Sequence, residues 1–158
     1  MNLKYEGNTF FEGNHETIIL PENLPKVKIF YTRLYRLFSQ KGYGYKNIET
    51  CSREQLKETI SSGTCYLIGH SQGATRILEQ FSPERYPQIK GIILFDPEQY
   101  VQDSWNLLKI PKLLFVNAKE KWHDYTNFQD KIEIDDDHYF TKTTKKVFPF
   151  LKKFILQK

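Results

Sequence analysis

The sequence lacks the marks of several protein classes. Its 158 residues include two cysteines, Cys51 and Cys65, which give neither a disulfide framework nor the paired spacing of a zinc site. No apolar run approaches the roughly 20 residues that span a bilayer, and the N-terminus has no apolar signal-peptide core. We therefore expect a single domain over residues 1–158, cytoplasmic and without a membrane segment, in which Cys65 is a reduced core residue.

Sequence motifs for cofactors are missing as well. The chain has no phosphate-binding loop, no dinucleotide-binding G-x-G-x-x-G and no metal-ligand spacing, so no cofactor is implied. The net charge of +4 comes from scattered lysines, and the one basic cluster lies in the C-terminal segment, where a helix needs a polar face. Because a nucleic-acid site needs basic residues concentrated on one face, we expect no nucleic-acid partner.

The pattern of apolar residues indicates the fold class. Hydrophobic residues make up 39% of the chain and charged residues 27%, which is typical of a globular domain. Short β-branched and aromatic runs alternate with helical patterns, which predicts an α/β fold with a mostly parallel, twisted sheet and helices on both faces. The predicted strands span residues 3–6, 9–12, 16–20, 46–50, 65–68, 89–95, 112–117 and 131–134, and the predicted helices span 24–38, 52–62, 75–81, 101–108 and a C-terminal segment that becomes regular near Pro149.

The stretch from Cys65 to Ala74 carries the most specific pattern in the chain. A strand pattern runs into a G-x-S-x-G at residues 69–73, and a helical pattern follows. A nucleophile elbow requires this strand–turn–helix context, because the sharp turn exposes the serine hydroxyl at the carboxyl end of the sheet. Free N–H groups at the start of the helix favour negative charge there. The pattern predicts Ser71 as a nucleophile.

Two other chemically suggestive residues, Asp96 and His138, also follow predicted strands. The carboxyl ends of parallel strands meet along one side of a sheet, where ligands gather. A serine hydroxyl becomes a good nucleophile when a base accepts its proton and an acid orients that base. We therefore expect Ser71, His138 and Asp96 to act together. Weaker candidates for the base are His15, His70 and His123.

The order Ser71, Asp96, His138 resembles the serine–acid–histidine order of the α/β-hydrolases. Residues 69–74 look like the elbow of that superfamily, and residues 137–140 resemble the loop that presents its catalytic histidine. Residues 91–97 and 110–117 are similar to the platelet-activating-factor acetylhydrolase branch and to some lipases. The resemblance covers residues 60–158 well and the first 60 residues only loosely.

The resemblance implies an acid, but two placements stay open. In the acetylhydrolase branch the acid follows the strand after the nucleophile strand, which implies Asp96. In most of the superfamily it comes from the loop after the next strand, which would point to Glu120 or Asp124. We favour Asp96 because it ends its strand directly, with Asp124 second.

The resemblance also implies an oxyanion hole with two backbone donors. One is the N–H of Gln72, the residue after the nucleophile. The other belongs to the loop after Leu20, where this chain departs from the family because it has no His-Gly pair and Pro21 has no N–H. The second donor could come from Glu22, Asn23 or Leu24.

These residues together imply a minimal α/β-hydrolase that cleaves a small carboxylic ester or thioester through an acyl-enzyme on Ser71. The segment between Asp96 and Lys112 is too short for a lid domain, which favours small soluble substrates over lipid aggregates. One alternative is an acyltransferase or lipase with the same triad. Another is a catalytically inactive hydrolase fold that serves as a binding module, and the oligomeric state stays open.

Overall fold

The structure, a computed structural model, describes residues 9–11, 15–20, 43–47, 65–80, 86–118, 123–136 and 144–156. The described residues form a seven-stranded sheet in the order β1-β3-β2-β4-β5-β6-β7. All neighbouring strands run parallel except β1, which pairs antiparallel with β3 at one edge. The strands are β1 (Thr9–Phe11), β2 (His15–Leu20), β3 (Tyr43–Asn47), β4 (Cys65–His70), β5 (Ile89–Phe95), β6 (Lys112–Asn117) and β7 (Lys131–Ile134).

Helices connect or follow the strands in the second half of the chain. Helix α1 (Gln72–Gln80) follows β4 directly, and a 3-10 turn (Gln99–Val101) leads into α2 (Gln102–Leu107) between β5 and β6. Helix α3 (Thr144–Leu156) comes after β7. None of the described helices is long and apolar enough to cross a bilayer.

The central strands are buried on both faces. All six residues of β4 are buried, as are all residues of β5 except Lys90. Strands covered by helices on both sides need apolar residues at every position, which explains the continuous runs of Ile and Leu in place of an alternating pattern. Their register sets Ile68 opposite Ile93 and Leu94 opposite Leu114.

The two faces of the sheet are covered by different helices. On one face, α1 and α2 contribute Ala74, Ile77 and Trp105 to a core cluster, and the indole N–H of Trp105 donates to the carbonyl oxygen of Gln129 at 2.7 Å. On the other face, α3 packs Phe154 against Tyr66, with ring centroids 6.2 Å apart. The predicted parallel α/β sheet with helices on both faces is therefore confirmed.

The predicted boundary of β3 was wrong. The strand spans Tyr43–Asn47, whereas the sequence pattern placed it at residues 46–50. Gly44 weakens a strand signal, but here it pairs opposite Thr17 of β2 beside a register shift. Glycine inside a strand often marks such an irregularity, so pairing on both sides of β3 outweighs its local preference.

The predicted start of regular helix near Pro149 was also wrong. Helix α3 begins at Thr144, and Pro149 lies inside it. An internal proline removes one helical hydrogen bond. Val147 and Leu151, on either side of it, are fully buried while Pro149 is exposed, so core packing holds the first turns in helical form. Helix α1 likewise begins at Gln72, three residues earlier than predicted.

The predicted strand at 3–6 and the predicted helices at 24–38 and 52–62 lie outside the described residues. The remaining predicted strands, at 9–12, 16–20, 65–68, 89–95, 112–117 and 131–134, match β1, β2, β4, β5, β6 and β7 within two residues at either end.

Candidate active site

Ser71 alone makes the connection between β4 and α1. Strand β4 ends at His70 and α1 starts at Gln72, and Ser71 has a φ of 53°. A positive φ is uncommon for any residue other than glycine. The backbone N–H of Ser71 donates to the carbonyl oxygen of Phe95 at 2.8 Å, so the turn residue stays attached to the end of β5. The half-buried Ser71 thus lies at the carboxyl end of the sheet.

Gly69 permits the helix to fold back against the strand. A Cβ atom at position 69 would lie 2.7 Å from both the N and the Cα of Ala74, inside the van der Waals limit of backbone atoms that cannot move aside. The first glycine of the G-x-S-x-G is therefore required by the close approach of α1 to β4.

Thr75 joins the turn to the segment after β5. Its hydroxyl donates to the carbonyl oxygen of Ser71 at 3.1 Å and accepts from the backbone N–H of Glu98 at 2.9 Å. The backbone N–H of Thr75 donates to the same Ser71 carbonyl oxygen at 3.1 Å. Thr75 is only 3% exposed, while Ser71 and Glu98 are half-buried, so these bonds are partly shielded from water.

Asp96 lies directly after β5 and is held in a fixed position. It has a φ of 44° and is only 1% exposed. Its backbone N–H donates to the carbonyl oxygen of Phe115 at 3.0 Å, and its carboxylate Oδ1 accepts from the backbone N–H of Asn117 at 2.8 Å. Hydrogen bonds to an ionised carboxylate are stronger than neutral ones. Strand β6 therefore orients this acid.

The two residues after Asp96 are held by hydrogen bonds from two other parts of the chain: Pro97 from the loop after β6, and Glu98 from helix α1. The hydroxyl of Tyr125, in the loop after β6, donates to the carbonyl oxygen of Pro97 at 2.7 Å. Burial raises the pKa of Tyr125, and the nearby carboxylates of Asp96 and Glu98 raise it further. Tyr125 therefore remains a neutral donor at physiological pH, and the segment Asp96–Glu98 is bound at each of its three residues.

Asp124, the alternative acid, has a different environment. It is exposed, and its carboxylate accepts from the backbone N–H of Thr126 at 2.9 Å and from the hydroxyl of Thr126 at 2.6 Å. An aspartate that binds the backbone two residues later stabilises a local turn. Asp124 therefore takes part in a local turn at the surface, whereas Asp96 is buried beside the end of the Ser71 turn.

The other predicted site residues fall into two groups, those in the described part of the chain and those outside it. His15 is the first residue of β2. His70 is fully buried and, by strand alternation, shares the sheet face of Tyr66 that α3 covers. His123 is half-buried in the loop after β6, with its ring centroid 6.1 Å from that of Tyr125. The residues that lie outside the described part of the chain are the predicted base His138, the alternative acid Glu120 and the candidate oxyanion donors Glu22, Asn23 and Leu24.

An open groove of about 470 Å³ borders the segment after Asp96. The described residues that line it include two carboxylates and no lysine or arginine: Glu98, Gln99, Tyr100, Gln102, Asp103 and His123. Tyr100 is 65% exposed, and its hydrogen bond to Glu79, at 2.9 Å, is the main cause that raises its pKa to about 12. Glu98 connects this groove to the Ser71 turn through Thr75.

Cys65 is buried in β4, as the sequence predicted. Burial raises the pKa of its thiol to about 12. Because the thiolate is the nucleophilic form of cysteine, Cys65 is inert at neutral pH. Among the described residues, no group of three or more His, Cys, Asp or Glu side chains is placed to hold a metal ion.

Three buried polar residues were missed by sequence reasoning. Thr75 binds Glu98, and Asn117 binds Asp96, through contacts distant in sequence. Asp136, which follows β7 and is 4% exposed, is the third. The only signal was position, since Asn117 and Asp136 are polar residues at or just after the end of an apolar strand.

Sequence comparison gives no relatives, whereas structural comparison does. No protein-family model matches the chain, and no curated protein matches it in sequence. Solved structures match over nearly its whole length. The monoacylglycerol lipase of Paleococcus ferrophilus has a TM-score of 0.72 at 12% identity, covering 98% of this chain and 100% of that one. The chain has the α/β-hydrolase fold.

Two further solved structures are similar to this chain over more than nine-tenths of its length. Est1E from Butyrivibrio proteoclasticus has a TM-score of 0.70 at 11% identity, covering 99% of this chain and 97% of that one. A thioesterase domain from the curacin biosynthetic pathway has a TM-score of 0.71 at 8% identity, covering 91% and 93%. At these identities the likeness concerns the fold, and function must be argued from the site.

Replacing Gly69 by alanine tests the packing of the turn. We expect a loss of about 3 kcal/mol in the free energy of unfolding, because the new methyl group meets immobile backbone. Gly91→Ala is the control, since its Cβ would meet the ring of Phe154 at 2.9 Å, and a side chain can shift. We expect a loss of about 1 kcal/mol there. Urea denaturation measures both, and equal losses would contradict the argument.

Proposed function

We propose that this protein is a serine hydrolase that cleaves a carboxylic ester or thioester through an acyl-enzyme on Ser71. The observation that carries the proposal is the φ of 53° at Ser71, in a one-residue turn from β4 to α1. Such strained backbone persists where the surrounding structure enforces it, commonly at functional sites. The α/β-hydrolase fold and the buried Asp96 at the neighbouring strand end support the same reaction.

The reaction divides into acylation and deacylation. His138 accepts the proton of Ser71 as its Oγ attacks the acyl carbonyl carbon, and then protonates the leaving alcohol or thiol as the tetrahedral intermediate collapses. A water molecule, deprotonated by His138, then attacks the acyl carbon. As the second tetrahedral intermediate collapses, the bond to Ser71 Oγ breaks, His138 returns the proton to Oγ, and the carboxylic acid is released. Asp96 orients His138 and stabilises its imidazolium form.

The oxyanion of each tetrahedral intermediate needs backbone donors. Gln72 is the first residue of α1, so its N–H lies among those that have no partner within the helix. The helix dipole favours negative charge at the same place. We propose the Gln72 N–H as one donor and the N–H of Glu22, Asn23 or Leu24 as the other.

Asp96 is the better candidate for the acid. It ends β5 directly, as in the acetylhydrolase branch that residues 91–97 resemble, and its carboxylate is buried and oriented by Asn117. Asp124 is exposed, and its Oδ1 accepts two hydrogen bonds within its own turn. Burial and orientation are what a group needs to stabilise an imidazolium.

Replacing each aspartate by asparagine distinguishes Asp96 from Asp124 as the acid that orients His138. Asp96→Asn keeps the Oδ1 that accepts from Asn117, so the fold should persist while kcat for a short p-nitrophenyl ester falls about 10⁴-fold. Asp124→Asn is the matched control and should leave kcat within about threefold of the wild type, the range expected for an exposed position away from the chemistry. A large loss in Asp124→Asn alone would reassign the acid.

A fluorophosphonate probe tests for the activated nucleophile. We expect the folded protein to be labelled, and Ser71→Ala and heat-denatured protein to remain unlabelled, because an ordinary serine hydroxyl reacts too slowly. Ser104→Ala, which removes an exposed serine from α2, should label like the wild type. An unlabelled but folded wild type would favour the catalytically inactive binding module.

The groove favours small polar esters over long acyl chains. None of the six described residues that line it is aliphatic, so an added methylene gains little by burial against them. The segment between β5 and β6 forms no lid, because Val101 and Trp105 anchor it in the core.

Acyl-chain length therefore distinguishes an esterase from a lipase. We expect kcat/KM for p-nitrophenyl acetate or butyrate to exceed that for micellar palmitate by about tenfold or more. The comparison includes Ser71→Ala to subtract uncatalysed hydrolysis. Preference for micellar palmitate would support the lipase alternative. The acyltransferase alternative shares the acyl-enzyme, and analysis of products formed with an added alcohol separates transfer from hydrolysis.

A further inference from the structure

We propose that Thr75 is a positioning residue that aims the backbone N–H of Gln72 at the oxyanion. This inference rests on the proposed function. It concerns a side chain that does not touch the substrate and acts through the peptide bond between Ser71 and Gln72.

The peptide bond between Ser71 and Gln72 couples the direction of the Ser71 carbonyl to that of the Gln72 N–H. The carbonyl of Ser71 and the N–H of Gln72 belong to one planar trans unit, so they point in opposite directions and rotate together. The Ser71 carbonyl oxygen accepts from both the N–H and the hydroxyl of Thr75, each at 3.1 Å. Two donors on this oxygen fix the peptide plane and therefore the direction of the Gln72 N–H.

The hydroxyl of Thr75 has a second hydrogen-bond partner, the backbone N–H of Glu98. A threonine in a helix commonly donates to the carbonyl four residues earlier, and that bond alone would be unremarkable. Here the same oxygen also accepts from the N–H of Glu98 at 2.9 Å, across 23 residues of sequence. This bond sets the direction in which the hydroxyl proton points, because the oxygen receives Glu98 on one side and donates to Ser71 on the other.

The two hydrogen bonds of the Thr75 hydroxyl connect the proposed oxyanion donor to the segment that carries the proposed acid. Glu98 lies two residues after Asp96, whose carboxylate is held by Asn117. The oxyanion donor at Gln72 and the segment that carries the acid are therefore attached to one buried hydroxyl, 3% exposed. Loss of this hydroxyl would leave the Ser71 carbonyl held by the Thr75 N–H without the second donor, which loosens the peptide plane without removing any group that touches the substrate.

Thr75→Val and Thr75→Ser test the role of the hydroxyl. Valine keeps the shape of threonine but has no hydroxyl, whereas serine keeps the hydroxyl. Complete removal of an oxyanion donor costs about 10²- to 10³-fold in kcat. We expect misalignment in Thr75→Val to lower kcat by about 10- to 100-fold with KM changed less than about threefold, and Thr75→Ser to recover most of the loss.

Tyr125→Phe is the control for a merely structural effect. It also removes one hydroxyl that binds the segment after β5, the 2.7 Å bond to Pro97, but it does not touch the Ser71–Gln72 peptide. We expect Tyr125→Phe to lower the melting temperature about as much as Thr75→Val, since each leaves one buried backbone group unbonded, yet to keep kcat within about threefold. Equal losses of kcat in the two variants would overturn the proposal.

The rate of fluorophosphonate labelling gives a second readout. Phosphonylation also develops negative charge on an oxygen in the same hole, so we expect Thr75→Val to slow it in parallel with kcat. If Thr75→Val does not fold, Thr75→Cys replaces it, because a thiol is a weak donor and acceptor. A variant lacking the hydroxyl that matches the wild type in both rates would refute the role of Thr75 alone. A wild type that neither hydrolyses esters nor labels would instead refute the proposed function, and the role of Thr75 with it.

Discussion

The hydrogen-bond ladder between parallel strands continues one residue past the ends of β4, β5 and β6, and the site depends on this continuation. The N–H of Ser71 reaches Phe95 at 2.8 Å, that of Asp96 reaches Phe115 at 3.0 Å, and that of Ala118 reaches Ile134 at 2.8 Å. Each residue beyond a strand is thus fixed by the next strand across. The sheet therefore determines where Ser71 and Asp96 lie before any side chain contributes.

Two of these residues adopt the left-handed backbone conformation, and this conformation has a cost. An L-residue with positive φ is disfavoured by roughly 1–2 kcal/mol. Ser71 and Asp96 both bear it, with φ of 53° and 44°. The ladder bonds, the Thr75 hydroxyl and the N–H of Asn117 offset it. The conformation turns the chain sharply at both strand ends, so that the residues after β4 and β5 leave the sheet at once.

Local signals in the sequence were enough for the strands in the second half of the chain. Apolar runs identified β4 to β6, an alternating pattern identified β7, and the G-x-S-x-G identified the turn at Ser71, because these depend on residues adjacent in the chain. Pro149 inside α3 and the early start of β3 depend on burial and pairing with distant elements, which local patterns do not carry. The bonds from Thr75 to Glu98 and from Asn117 to Asp96 join residues 23 and 21 positions apart, so they too escaped prediction. The roles of His138 and of the donors at residues 22–24 stay predictions.

The described lining of the groove after Asp96 has a charge opposite in sign to that of the whole chain. The chain carries a net charge of +4, yet Glu98 and Asp103 line the groove, and none of the four other described lining residues is a lysine or arginine. The net positive charge of the chain acts on a ligand at a distance, whereas the two carboxylates act on it when it reaches the groove. An anionic ligand is therefore attracted by the net charge of the chain and repelled by the two carboxylates at the groove, whereas an uncharged ester meets neither effect.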